Sequence, residues 1–149
     1  MITEISFEQI VPFWLRLWPW CVEEQLERHS CMKYGGGYFG LDYVPDITYF
    51  ALVHDCKIVG VNSGHTTPGN LYRSRGLWVD PDYRGKGFGV LLLDACIAKA
   101  SELKCDATWS FPRDTSVKTY EAAGFTITSD WIQSDHNILN AYCFKKTID

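Results

Sequence analysis

Leu77-Trp78-Val79-Asp80-Pro81-Asp82-Tyr83-Arg84-Gly85-Lys86-Gly87-Phe88-Gly89 decides how this 149-residue chain is read. A strand-like run stops at Pro81, which cannot extend a ladder. Alternate glycines then lead into Val90–Leu103, where Val90, Leu93, Ile97 and Ala100 recur at helical spacing. The segment is therefore strand, turn and helix. Glycine permits positive φ and lets backbone N–H groups approach an anion closely. A helix start adds about half a positive charge and its unpaired donors. Such a loop suits phosphate oxygens, and residues 73–86 add four basic side chains (Arg73, Arg75, Arg84, Lys86) against Asp80 and Asp82.

Working outward, Ile2 to Ile5 reads as a strand, and Ser6 with Gln9 forms a capping box opening a helix that runs to about Trp18. Val22 to Cys31 reads as a second helix, broken by Gly35-Gly36-Gly37. Ile47–Val53, Ile58–His65 and Leu71–Val79 are three successive antiparallel strands, joined at His54–Lys57 and at Pro68-Gly69-Asn70. Beyond the glycine-rich turn and its helix come a strand at Ala107–Phe111 and a helix from about Asp114 to Ala123, stopped by Gly124. Strands at Phe125–Trp131 and Ile138–Phe144 end the chain. The order β-α-α-β-β-β-α-β-α-β-β predicts one α/β domain over 1–149, a mixed central sheet of seven strands with helices on both faces.

Composition narrows the function classes. With 46% hydrophobic, 21% charged and 15% aromatic residues, the profile is globular rather than disordered. The net charge of −4 lacks the basic field of a nucleic-acid binder. All of it lies in residues 1–47, which hold seven acidic and three basic groups, while the remainder is balanced. No apolar run approaches the ~20 residues of a membrane span and no secretory signal is visible, so the expectation is a soluble, cytoplasmic protein. The six cysteines form no Cys-x-x-Cys pair; reduced thiols and no metal site are expected.

A P-loop needs Lys then Ser or Thr after its last glycine, and Phe88 stands there; a dinucleotide loop needs a parallel βαβ unit, not three antiparallel strands. A glycine turn with solvated charges is the bland alternative. The segment resembles the acyl-CoA signature of the GNAT superfamily, the GCN5-related N-acetyltransferases: Arg84, Gly87 and Gly89 match, preceded by Val79-Asp80-Pro81. Thr119-Tyr120-Glu121-Ala122-Ala123-Gly124-Phe125 resembles that family's Tyr-Glu-x-x-Gly-Phe, in the right order with a helix and strand between. The predicted element order is similar to the GNAT fold over nearly the whole chain.

The resemblance implies acetyl-CoA as co-substrate, its pyrophosphate on the amides of Arg84, Gly85, Lys86, Gly87, Phe88 and Gly89. The pantetheine arm would lie along Leu77, Trp78 and Val79 as an added strand, using backbone groups of Leu77 and Val79 whose side chains are core. A backbone N–H near Trp78 or Val79 would polarise the thioester carbonyl. Tyr120 takes the family's general-acid position, protonating the CoA thiolate; a tyrosine packed on the sheet is the structural alternative. No carboxylate stands on residues 71–79, so the base is open: His65, with an ordinary pKa near 6.5, is the candidate, against an exposed turn histidine, a water relay or an amine arriving deprotonated. Arg113 replaces the family's usual Asn seven residues before the tyrosine and is a candidate contact for a CoA phosphate.

On the acceptor side the resemblance points to the first two helices. Trp18 and Tyr38 lie there with Glu23, Glu24 and Glu27, a set that suits a cationic amine, though a solvated acidic face over core aromatics reads equally well. The expected activity is acetyl transfer to a primary amine of a small molecule, peptide or protein by direct attack in a ternary complex. The alternatives are a non-catalytic acyl-CoA-binding or regulatory module, and a nucleic-acid or aminoacyl-tRNA acceptor, which the acidic first third disfavours. A homodimer is left open.

Overall fold

The computed structural model describes residues 1–20, 46–133 and 137–148. Strand β1 (Ile2–Ile5) passes through Ser6 into α1 (Phe7–Leu17). The capping box forms: Gln9 N–H donates to Ser6 Oγ at 3.1 Å and Ser6 N–H to Gln9 Oε1 at 2.8 Å. Phe7, Ile10, Val11 and Trp14 make one buried stripe, and Pro12, inside the helix, lies on the exposed side. The second helix and the triple glycine of the sequence reading lie outside the described residues.

Strands β2 (Ile47–His54), β3 (Lys57–Thr67) and β4 (Leu71–Val79) pair antiparallel in succession. Each turn carries two consecutive positive φ angles, at Asp55 and Cys56 and then at Gly69 and Asn70, a geometry whose twist suits a hairpin. A 3-10 turn at Pro81–Tyr83 precedes α2 (Phe88–Glu102). Strand β5 (Ala107–Ser110), a 3-10 turn at Asp114–Ser116 and α3 (Val117–Ala122) follow, and Gly124, at φ 97°, ends that helix.

The end of the chain departs from expectation. Instead of two long strands there are four short ones, β6 (Thr126–Ile127), β7 (Ile132–Gln133), β8 (Leu139–Asn140) and β9 (Cys143–Lys146). The sheet still has seven strands, ordered β1-β2-β3-β4-β5-β9-β6, because β7 and β8 leave it as a separate hairpin. Alternation in sequence marks extended chain but carries no information about which partner it pairs with.

Helix α1 covers one face, packing its stripe on Ala51, Val61 and Trp78. On the other face α2 sets Leu92, Cys96 and Ala100 against Phe50, Leu52, Val59 and Tyr72. There α3 extends the layer with Tyr120 beside Leu93, Ala123, Phe125 and Cys143. Trp14, fully buried, donates Nε1–H to the Gly76 carbonyl at 2.9 Å, and a Cβ on Gly76 would strike its ring. Gly76, at φ 83°, lies where the β3–β4 register shifts between Val61 and Ser63, a bulge that re-aims the end of β4. No described helix is long and apolar enough to cross a membrane.

Candidate active site

Parallel pairing of β4 with β5 stops at Arg73↔Trp109. Among the described residues, β4 runs on from Ser74 to Val79 with no strand paired on that side. Two cavities open into the gap. The larger, about 420 Å³, lies between Leu77–Val79, the loop Arg84–Gly89 and Thr119. The smaller, about 150 Å³, is lined by Trp18, Arg73, Arg75, Ser110, Arg113 and Tyr120. Leu17, Leu77, Arg113 and Ser116 border both, so the two adjoin.

The glycines of the loop have separate reasons. Gly85 and Gly87 hold φ of 78° and 79° with open space where a Cβ would point, so the demand is conformational. Gly87 is also the N-cap of α2 and supplies no side-chain cap, which leaves the helix's first N–H groups for another acceptor. Gly89 is steric: its Cβ would come within 2.7 Å of Thr119 Cγ2, so its absence lets α3 approach α2. Arg84 ties loop to strand, donating Nε–H to the Val79 carbonyl at 2.9 Å. Lys86 lies with its ammonium 5.7 Å from the Tyr83 ring centroid, and Phe88 stacks on that ring and packs against His54. The Leu77 and Val79 side chains pack under α2, and Trp78 turns the other way onto Phe13.

Tyr120 is 3% exposed, and its hydroxyl lies 3.2 Å from Ser110 Oγ, which itself donates to the Ser74 carbonyl at 2.6 Å. Burial pushes the phenol up to about 12, opposed by the Ser110 and Ser74 hydroxyls. Arg113 donates Nη2–H to the Leu17 carbonyl at 2.9 Å and places its guanidinium 5.6 Å from the Trp20 ring centroid, clasping the end of α1. Half-burial lowers its pKa. Trp18 lies in the smaller cavity with the Arg75 guanidinium 5.7 Å from its ring centroid. Glu23, Glu24, Glu27 and Tyr38 lie outside the described residues.

His65 requires correction. Strand β3 continues past it to Thr67, so it sits inside the sheet between Ile47 and Arg73, fully buried, and borders neither cavity. Burial, then the charges of Arg73 and Arg75, push its pKa down to about 3. A neutral imidazole so reluctant to take a proton, and outside both cavities, does not supply the base.

Sequence reasoning missed Ser110 as a partner of Tyr120, and the Leu17–Arg113 clasp. A serine ending a short strand carries no local mark, and the clasp joins residues 96 positions apart.

Residues 7–125 match the acetyltransferase (GNAT) family. The chain belongs to that family. Solved structures with the GNAT chain's fold include an aminoglycoside 6′-N-acetyltransferase complexed with coenzyme A, 13% identical, covering 100% of this chain and 98% of its own at a TM-score of 0.76. The "IAA acetyltransferase" of Bacillus cereus is 17% identical over 98% of both chains with a TM-score of 0.72. The aminoglycoside 6′-N-acetyltransferase of Enterococcus faecium is 14% identical over 100% of this chain and 98% of its own, at 0.71. At such identities what is shared is the fold, over the full length of the GNAT chain. Comparison with curated proteins finds no match.

Proposed function

We propose that this GNAT acetyltransferase moves acetyl from acetyl-CoA to a primary amine by direct attack, with Tyr120 as the acid that protonates the departing thiolate. The adjacency of the two cavities carries this reading: the loop-and-strand groove meets, at Leu17, Leu77, Arg113 and Ser116, a pocket that Tyr120 lines. The groove suits coenzyme A, since the uncapped start of α2 and the open Gly85 and Gly87 offer N–H groups to a pyrophosphate. The exposed end of β4 offers backbone groups to the pantetheine amides.

In the reaction the amine lone pair forms the C–N bond at the thioester carbon, and the C–S bond breaks with its electron pair left on sulfur. Tyr120 donates its proton to that sulfur and the amine nitrogen releases one to solvent, so the products are an N-acetyl amine and the free thiol. No described residue lining the smaller cavity is a carboxylate or histidine. With His65 kept neutral by burial first and by the charges of Arg73 and Arg75 after it, the reading that fits is attack by an amine that arrives already deprotonated. A cationic acceptor would be drawn by Glu23, Glu24 and Glu27.

The test is thiol release from acetyl-CoA over a panel of aminoglycosides, polyamines, amino acids and lysine peptides, with coenzyme A binding measured by calorimetry. Turnover of at least one class, lost in Tyr120→Phe with coenzyme A affinity kept, is the expected result. Binding without turnover of any amine would favour a non-catalytic acyl-CoA module.

A further inference from the structure

The geometry points to Ser110 as the positioning residue that holds the Tyr120 hydroxyl for proton donation and takes over its hydrogen bond once the proton has left. This inference rests on Tyr120 being the acid.

Ser110 occupies the last position of β5, one residue beyond the final β4–β5 pair, where the two strands part. Its hydroxyl bridges the opening: Oγ lies 2.6 Å from the Ser74 carbonyl oxygen on β4 and 3.2 Å from Tyr120 Oη on α3. A hydroxyl has one proton, and a carbonyl can only accept. The short contact therefore consumes the Ser110 proton, and the longer one is Tyr120 O–H donating to Ser110 Oγ. The chain of bonds runs Tyr120 to Ser110 to the Ser74 carbonyl, and the Ser74 hydroxyl also acts on the phenol.

Ser74 is itself held. Its hydroxyl exchanges hydrogen bonds with fully buried Asn62 at 2.9 and 3.3 Å, and Asn62 Nδ2 also reaches Cys96 Sγ on α2 at 3.3 Å. Ser110 is 4% exposed and Tyr120 3%, so water has little access to replace any of these bonds. For donation the Tyr120 O–H turns about its Cζ–Oη bond from Ser110 Oγ to the thiolate sulfur, and once the proton has passed a phenolate is left in a buried place. Rotation about the Ser110 Cβ–Oγ bond turns its proton from the Ser74 carbonyl onto that phenolate, with no bond to carbon made or broken. Tyr120 is then reprotonated from solvent on product release. The device answers a specific difficulty, since burial alone makes the phenol a reluctant donor.

The test is a double-mutant cycle on the full chain, Ser110→Ala, Tyr120→Phe and both together, read as kcat and KM for acetyl-CoA with the fastest amine of the panel. Uncoupled acetyl-CoA hydrolysis serves as a second readout that needs no acceptor. A hydrogen bond to a charged group corresponds to about a 10- to 100-fold effect. Ser110→Ala is expected to lower kcat by that factor, leave KM for acetyl-CoA within about twofold, and add nothing in the Tyr120→Phe background. Ser110→Thr, which keeps the hydroxyl, restores most of the rate, and Ser110→Cys replaces the alanine variant should that one fail to fold. An equal loss from Ser110→Ala in both backgrounds would show a structural role and overturn the inference, as would an unchanged kcat beside an impaired Tyr120→Phe. If Tyr120→Phe is itself fully active, or no thiol release is seen with any amine or water, the acid assignment falls first and this inference with it.

Discussion

The groove along Leu77–Val79 and the pocket over Tyr120 meet at Leu17, Leu77, Arg113 and Ser116, yet they are made of different material. The groove presents backbone: the loop glycines, the uncapped start of α2 and the edge of β4 beyond Arg73 that no described strand pairs on the β5 side. The pocket presents side chains from separate elements, Arg73 and Arg75 on β4, Ser110 on β5, Arg113 before α3 and Tyr120 within it. A backbone-built site holds whatever all substrates of the reaction share, because N–H groups cannot vary with the residue type. A side-chain pocket can change its ligand by substitution while the fold stays the same. On the proposed reading the groove is thus the constant half of the site and the pocket the half that selects.

That division can be broken experimentally, and the largest expected effect is at the pocket. Tyr120→Phe should cut kcat about 100-fold or more, the scale of a general acid, while coenzyme A binding stays within about threefold. A comparable loss of coenzyme A affinity would show that Tyr120 belongs to the groove as well.

The next effect concerns stability, through His65. Its folded pKa of about 3 lies below the ordinary 6.5, so between those values the unfolded chain binds the extra proton. The stabilisation is fully present above pH 6.5 and is lost as pH falls toward 3. Melting at pH 5 should therefore report about 2 kcal/mol less stability than at pH 7.5 from this group. His65→Gln should flatten that slope. An equally steep slope in the variant would place the proton elsewhere.

At the groove, Gly87→Ala puts a Cβ on a residue at φ 79°, which costs about 1–2 kcal/mol. Coenzyme A affinity by calorimetry should fall about tenfold, with kcat at saturation nearly unchanged. A fall in kcat alone would contradict the assignment of the loop to binding. The smallest effect is that of salt. Raising ionic strength from 0.1 to 1 M shortens the screening length from about 10 to 3 Å, and because Arg84 and Lys86 are exposed, coenzyme A affinity should drop about threefold. A salt-independent affinity would mean that the N–H groups act without those charges.

How much was legible follows the same line. Glycines at 85, 87 and 89, a proline ending the strand and Tyr120 followed by Gly124-Phe125 are local features, each tied to a backbone conformation or a helix end, and the structure realises them where the residues stand. The capping box at Ser6 and Gln9 and the turns at His54–Lys57 and Pro68-Gly69-Asn70 are local in the same sense. His65 misled because a histidine near a strand end looks the same whether the strand stops there or runs two residues further into the sheet. The C-terminal strands misled because alternation does not say which partner a strand takes, and here β7 and β8 pair with each other instead of joining the sheet.

The sequence by itself determined the order of elements, the glycine-rich strand-to-helix turn after β4 and the placement of a tyrosine on the last helix, because each depends on contacts within a few residues or on a single side chain's conformational range. Tertiary structure alone decided that β4 and β5 part after one short parallel stretch, that Ser110 bridges the gap to Tyr120, that Arg113 clasps Leu17 and that His65 is kept from water. Those are properties of which elements pack against which, and burial, hydrogen-bond partners and field acquire values only once the layers have closed.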